Sequence, residues 1–317
     1  MSEPLPLPEG FAVGHWTAAT ARTGCTVVIP PPSTRGGIDV RGGGTGTREV
    51  EALAPLANAE GPTAVLLTGG SAFGLAAADG VVRRLEERGL GRPTPMGPIP
   101  LVATAVIFDL REGERVRPGP DDGYAACEAA GEGTPGRGRV GAGAGAAVGK
   151  VLGRERATPG GVGYAITRLA SGSSVAALAV ANSVGDVIGS HGEVLGGPHD
   201  EDGRLLCTAR LLEGMSELPL PTVRPEENTT LACVMTDASL DKRGCGIVAR
   251  MAAAGIARAV DPVFSPLDGD VVFCLASGRE PPAAPGPAAS FALTALGTAA
   301  ATVTAAAIRD AVACSAG

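Results

Sequence analysis

Aromatic side chains make up only 3% of this 317-residue chain, and lysine is nearly missing, with Lys150 and Lys242 the only two. Few aromatics leave few platforms on which a base or ring could stack. The formal net charge is -7 and the pI is near 5.1, so the surface field repels phosphate backbones and anionic lipid alike. Neither nucleic acid nor a membrane is an expected partner. Histidine is also scarce: His15, His191 and His199 stand apart without metal-ligand spacing, and no metal or cofactor is expected. The seven cysteines are odd in number, scattered and free of any C-x-x-C pair, which argues against a disulfide framework and for small buried apolar residues. The first ten residues, MSEPLPLPEG, lack a basic region followed by an apolar one, so the expected compartment is the cytoplasm. The Ala-rich run 289–314 is interrupted by Arg309 and Asp310 and reads as a buried helix, not a membrane span.

What is present is the balance of a compact soluble protein, 44% hydrophobic and 19% charged. Aliphatic and β-branched segments of strand length recur at 25–29, 64–67, 101–108, 175–180, 230–236 and 271–275. Between them, Leu75, Ala78, Val82 and Leu85 mark a helix over 71–88 with Ser71 as N-cap. Ile247, Met251 and Ala254 mark a second helix, and the C-terminal run a third, entered through an exposed proline-rich loop at 279–287. Segregated strands and long helices predict an α+β layer architecture. The least structured stretch, 196–228, ends directly at the tripeptide NTT.

Three motifs carry possible chemistry. GAGAGAAVGK at 141–150 invites a phosphate cradle, but a P-loop needs glycine where Ala144 stands and a hydroxyl residue where Val151 stands. A tight glycine turn between packed layers is the plainer reading. Ser71 in TGGSAFG resembles a hydrolase nucleophile with Asp186 and His191 downstream, but Phe73 replaces the last glycine of G-x-S-x-G. The third is EENTTLACVMTDASL, where a charged stretch gives way abruptly to an apolar strand at Thr229. Taken alone, that junction reads as a turn at Asn228 followed by ordinary strand threonines.

The wider pattern changes its weight. VGHWTA from Val13, GIDVRGGGTGTRE from Gly37, LTGGSAFGLAAADGV from Leu67, ATAVIFDL from Ala103, GRVGAGAGAAVGK from Gly138, AVANSVGDV from Ala179, NTTLACVMTDA from Asn228 and DGDVVF from Asp268 occur in this order. Together they resemble the L-aminopeptidase D-amidase/D-esterase (DmpA-like) family of self-processing N-terminal nucleophile hydrolases. At the nucleophile they are nearest the nylon-oligomer branch, with Asn-Thr at the cut. The resemblance implies a four-layer αββα sandwich, of the type shared with ornithine acetyltransferases. It implies a single domain over 1–317, cut between Asn228 and Thr229 into chains 1–228 and 229–317. Thr229 would be the nucleophile, Asn182 the oxyanion donor, Lys150 an active-site lysine, and Asp268 and Asp270 an acidic pair. The expected substrate is a small peptide or amide, and a homotetramer is expected by resemblance alone. The acid that aminopeptidase members use to hold a free amine has no counterpart in 99–109 apart from Asp109. Two other functions fit the same fold: acyl transfer to an amine, and an unprocessed binding protein.

Overall fold

Alternating side chains along each central strand serve two different cores, and this sets the layering. In the segment Ser174–Asn182, Leu178 and Val180 face one way while Ala177, Ala179 and Ala181 face the other. Both sides are buried, so the strand is apolar throughout, as a strand covered on both faces must be. The computed structural model describes residues 6–111, 115–215, 228–280 and 286–316. Ten strands among these form two five-stranded sheets. We number them β1 (Ala12–Ala18), β2 (Thr23–Ile29), β3 (Arg35–Val40), β4 (Thr47–Arg48), β5 (Ala64–Thr68), β6 (Val102–Val106), β7 (Gly161–Arg168), β8 (Ser174–Asn182), β9 (Thr229–Thr236) and β10 (Val271–Ala276). The first sheet runs β1-β2-β5-β6-β4 and the second β3-β10-β9-β8-β7.

Four long helices cover the outer faces: α1 (Ala77–Glu87), α2 (Pro120–Glu128), α3 (Lys242–Ala257) and α4 (Pro287–Ala313). Helices α1 and α2 pack on the first sheet through Ala77, Val81, Leu85 and Cys127. Helices α3 and α4 pack on the second through Val248, Ala252, Ile256, Ala300 and Ile308. Between the sheets lies a third core that includes Val65, Leu67, Leu178, Leu231, Met235 and Phe273. The result is the expected αββα sandwich. Strands β5 and β6 are parallel and joined through α1, and β9 and β10 are parallel and joined through α3, because a parallel pair needs a crossover.

The six apolar segments of the sequence all become strands, within a residue or two of their expected ends. The strands β1, β3, β4 and β7 escaped notice because glycine, arginine and histidine break their apolar pattern. Ser71 is not a helix cap. It opens a 3-10 helix, Ser71–Ala76, at φ 52 with no side-chain capping bond, and the α-helix begins only at Ala77. In α3 the buried face is Cys245, Val248, Ala249, Ala252 and Ile256, whereas Ala254 is exposed. Alanines and glycines on every side of this helix leave no apolar stripe from which to read its phase.

Helix α4 is long and apolar enough to cross a membrane by length and composition, yet it lies against β7, β8 and α3. At Gly163 an added Cβ would sit 1.9 Å from Ala307 O, so this strand and helix approach as only glycine permits. The charges that interrupt the run tie it down. Asp310 pairs with Arg137 at 2.9 Å and accepts the Tyr164 N–H at 3.0 Å, while Arg309 donates to Ile188 O at 2.9 Å. Five of the seven cysteines are buried and all are free. Within 196–228 a short helix forms at Thr208–Gly214, and 216–227 lie outside the described residues, as do 281–285 of the expected proline-rich loop.

Candidate active site

Antiparallel register brings the last residue of β8 opposite the first residue of β9, so Asn182 and Thr229 are direct cross-strand partners. Their side chains share one face of the sheet. Because Val180 and Leu231 point into the core between the sheets, so do Asn182 and Thr229, at the end of that core. Both are buried, Thr229 at 3% exposure.

The Thr229 hydroxyl donates to Asn228 O at 2.5 Å. The same carbonyl accepts the Gly269 N–H at 3.0 Å, and Asn228 Nδ2 donates to Leu267 O at 3.1 Å. One peptide carbonyl therefore receives both a hydroxyl and a fixed backbone donor. Asn182 is oriented from the opposite side. Its Oδ1 accepts the Ala147 N–H at 3.1 Å, which leaves Nδ2 as the donor end, lying 3.5 Å from Phe108 O.

Lys150 follows Gly149, whose φ of 72 and close approach to the Gly197 backbone exclude a side chain there. The turn after β8 holds this lysine, as Gly149 N–H donates to Gly185 O and Lys150 N–H to Val184 O. The Lys150 ammonium donates to Asn182 O at 2.8 Å. The other lysine serves structure: Lys242 Nζ donates to the carbonyls of Ala52, Ala57 and Ala59.

Asp268 accepts the Val184 N–H at 3.1 Å and the Ser265 hydroxyl at 2.5 Å. Asp270 accepts the Thr230 N–H at 2.6 Å. Burial raises Asp268 above the usual carboxylate range, while its hydrogen bonds and the Lys150 charge pull it back. Burial, then the Asp268 charge, pushes Asp270 up to about 7. Two buried carboxylates one residue apart cannot both ionise cheaply, so this pair holds a proton near neutrality.

All six residues singled out in the sequence thus meet at one end of the β8–β9–β10 ladder. The rival constellation does not assemble. Asp186 is engaged with the Thr208 hydroxyl and N–H, and His191 lies exposed with Ser190 Oγ 3.2 Å away. The stretch 141–150 is a 3-10 turn at Gly141–Gly143 followed by tightly packed backbone, where a Cβ on Gly143 would sit 2.3 Å from Val162 N. Sequence reasoning missed the backbone donors of Gly269 and Ala147, since an N–H carries no residue signature. Asp109 is buried, with Oδ1 accepting the Gly70 N–H at 2.7 Å, and burial raises it.

Residues 9–317 match peptidase family S58. The chain belongs to this family. It is 41% identical over 314 residues to an uncharacterized aminopeptidase of Mycobacterium tuberculosis, covering 92% of this chain and 88% of that one. It is 30% identical over 281 residues to a 6-aminohexanoate-oligomer endohydrolase of Paenarthrobacter ureafaciens, covering 87% and 76%. Two solved structures share the fold. A Burkholderia sp. beta-aminopeptidase superposes with a TM-score of 0.70 at 22% identity, covering 98% of this chain and 88% of the other. An L-aminopeptidase D-Ala-esterase/amidase from Ochrobactrum anthropi, described as a variant of the Ntn hydrolase fold, does so with 0.70 at 16% identity, covering 99% and 89%. This S58 protein is accordingly a peptidase-family hydrolase on the Ntn fold.

Proposed function

We propose that this S58 chain cuts itself between Asn228 and Thr229 and then hydrolyses amides with Thr229 as an N-terminal nucleophile. The carrying observation is the Asn228 carbonyl, 2.5 Å from the Thr229 hydroxyl oxygen and 3.0 Å from the Gly269 nitrogen. Oγ1 attacks this carbonyl carbon while the Gly269 N–H steadies the charge that develops on oxygen. The C–N bond breaks, nitrogen takes the hydroxyl proton, and an ester joins Asn228 to Thr229 Oγ1. Water hydrolyses the ester, releasing the Asn228 carboxylate and a free Thr229 amine.

That amine supplies what a threonine hydroxyl lacks. With a reference pKa of about 7.7–8.0 it can accept the hydroxyl proton and return it to a leaving amine. Oγ1 then attacks the substrate carbonyl, and Asn182 Nδ2 donates to the oxyanion. The amine product leaves with the returned proton, and water releases the acyl group from Thr229. Lys150 supplies a fixed positive charge beside the nucleophile. Asp268 and Asp270 place negative charge beside Lys150 and the new terminus.

Denaturing electrophoresis with mass measurement tests the first step. The purified protein should give fragments ending at Asn228 and beginning at Thr229, and Thr229→Ala should stay whole. A single intact chain that still hydrolyses amides would end this reading.

A further inference from the structure

A cavity of about 280 Å³ opens beside this site, lined by Arg22, Arg111, Arg139 and Arg154, with Glu155 the one acid among the described lining residues. Ala147 forms part of the same wall, and its N–H holds the Asn182 carboxamide at 3.1 Å. The cavity and the oxyanion donor are therefore separated by one residue. Clustering guanidiniums is costly unless something negative sits among them. Arg111 records the cost: burial, then the Arg22 and Arg139 charges, pull it below the ordinary guanidinium range. Its Nε is buried with no hydrogen-bond partner among the described residues. Asp109 is the buried acid nearest this cluster: burial raises it, while its hydrogen bonds and the Arg154 charge pull it back, and the Gly70 N–H occupies its Oδ1. Arg154 is anchored to the wall through the Gly145 carbonyl.

We propose that this cavity is an anion subsite of the active site, taking a carboxylate of the substrate, so that the enzyme acts on amides bearing an acidic group near the cleaved bond. The inference rests on Thr229 and Asn182 being the reaction centre, since the Ala147 link to Asn182 is what makes the cavity a substrate site. Guanidinium forks match a carboxylate in two parallel hydrogen bonds.

Two matched pairs of chromogenic or fluorogenic anilides test this with the self-cleaved enzyme. One pair carries the carboxylate on the acyl side, glutaryl p-nitroanilide against its carbamoyl isostere. The other carries it on the leaving side, a butyryl amide of p-aminobenzoate against that of p-aminobenzamide. The acid of at least one pair should be preferred by about tenfold or more in kcat/KM, mainly through KM. Arg111→Gln and Arg139→Gln should each cut that ratio by several-fold. Equal or better hydrolysis of the neutral member in both pairs, or a ratio that neither substitution moves, overturns the proposal. Calorimetric binding of succinate separates the two readings if no anilide is cut. Succinate binding that weakens about tenfold in Arg111→Gln keeps the subsite while the hydrolase assignment falls, and no binding removes the subsite.

Discussion

Replacing Lys150 by methionine keeps the volume of the side chain and deletes the one lysine charge at the site. Lys150 is buried at 4% exposure, and its charge is among the influences that keep Asp268 from rising further. Without it, Asp268 and Asp270 are two buried acids with no lysine beside them. Removing a compensating buried charge leaves the other desolvated, and the cost here is up to about 3 kcal/mol, the lower end of the range for a contacting ion pair. The sign depends on pH. Loss of the cation raises the folded-state affinity of the acids for protons, so the stability they contribute is present at low pH and lost as pH rises. The full deficit should therefore appear at about pH 8 and shrink toward about pH 5, where the pair takes up protons. Urea unfolding reads it, performed in a Thr229→Ala background so that every variant is uncut. Adding Asp268→Asn to Lys150→Met should recover most of the loss at the higher pH, since it removes the stranded charge. An equal deficit at both pH values, or simple additivity of the two substitutions, would refute this account of the site.

Other consequences are as direct. Asn182→Ala should lower turnover about a hundredfold or more, the usual effect of losing one oxyanion donor, while steady-state kinetics show KM moving less. Asp270, pushed up to about 7 from 3.8, should make the uncut chain lose roughly 4 kcal/mol as pH rises from below 4 through 7; Asp270→Asn should flatten that slope in urea titrations. His15, held down to about 4 by burial, acts in the opposite sense, its contribution being lost as pH falls from about 6.5, and His15→Gln should remove that acid-side loss. Gly163→Val should destabilise by about 3 kcal/mol or more in denaturant unfolding, because its Cβ meets the Ala307 carbonyl at 1.9 Å and backbone cannot step aside.

Some residues of the site were legible because their chemistry is unusual in their surroundings. A loop ending in Asn228 and an apolar strand opening at Thr229 mark one discontinuity, whereas Lys150 came only with the family pattern. That pattern linked the junction to Lys150, Asn182, Asp268 and Asp270. The donor that faces the Asn228 carbonyl was not legible, because it is the backbone N–H of Gly269, and any residue but proline would offer one. The arginines of the anion cavity were equally hidden. Arg22, Arg111, Arg139 and Arg154 come from four separate stretches of chain, and nothing in their spacing relates them. Ser71 shows the opposite failure, a strong local capping signal overridden where the chain enters a 3-10 turn at positive φ.

By itself the sequence determined the apolar strands, an α+β layer architecture, and the acidic, aromatic-poor composition, because each follows from side-chain type and spacing along the chain. Tertiary structure alone decided that Thr229 lies across from Asn182, that Gly269 faces the Asn228 carbonyl, and that four guanidiniums share one cavity. The physical reason is that cross-strand register and layer packing bring together groups far apart in the chain. Their electrostatic effects depend on distance and burial, which local composition does not encode.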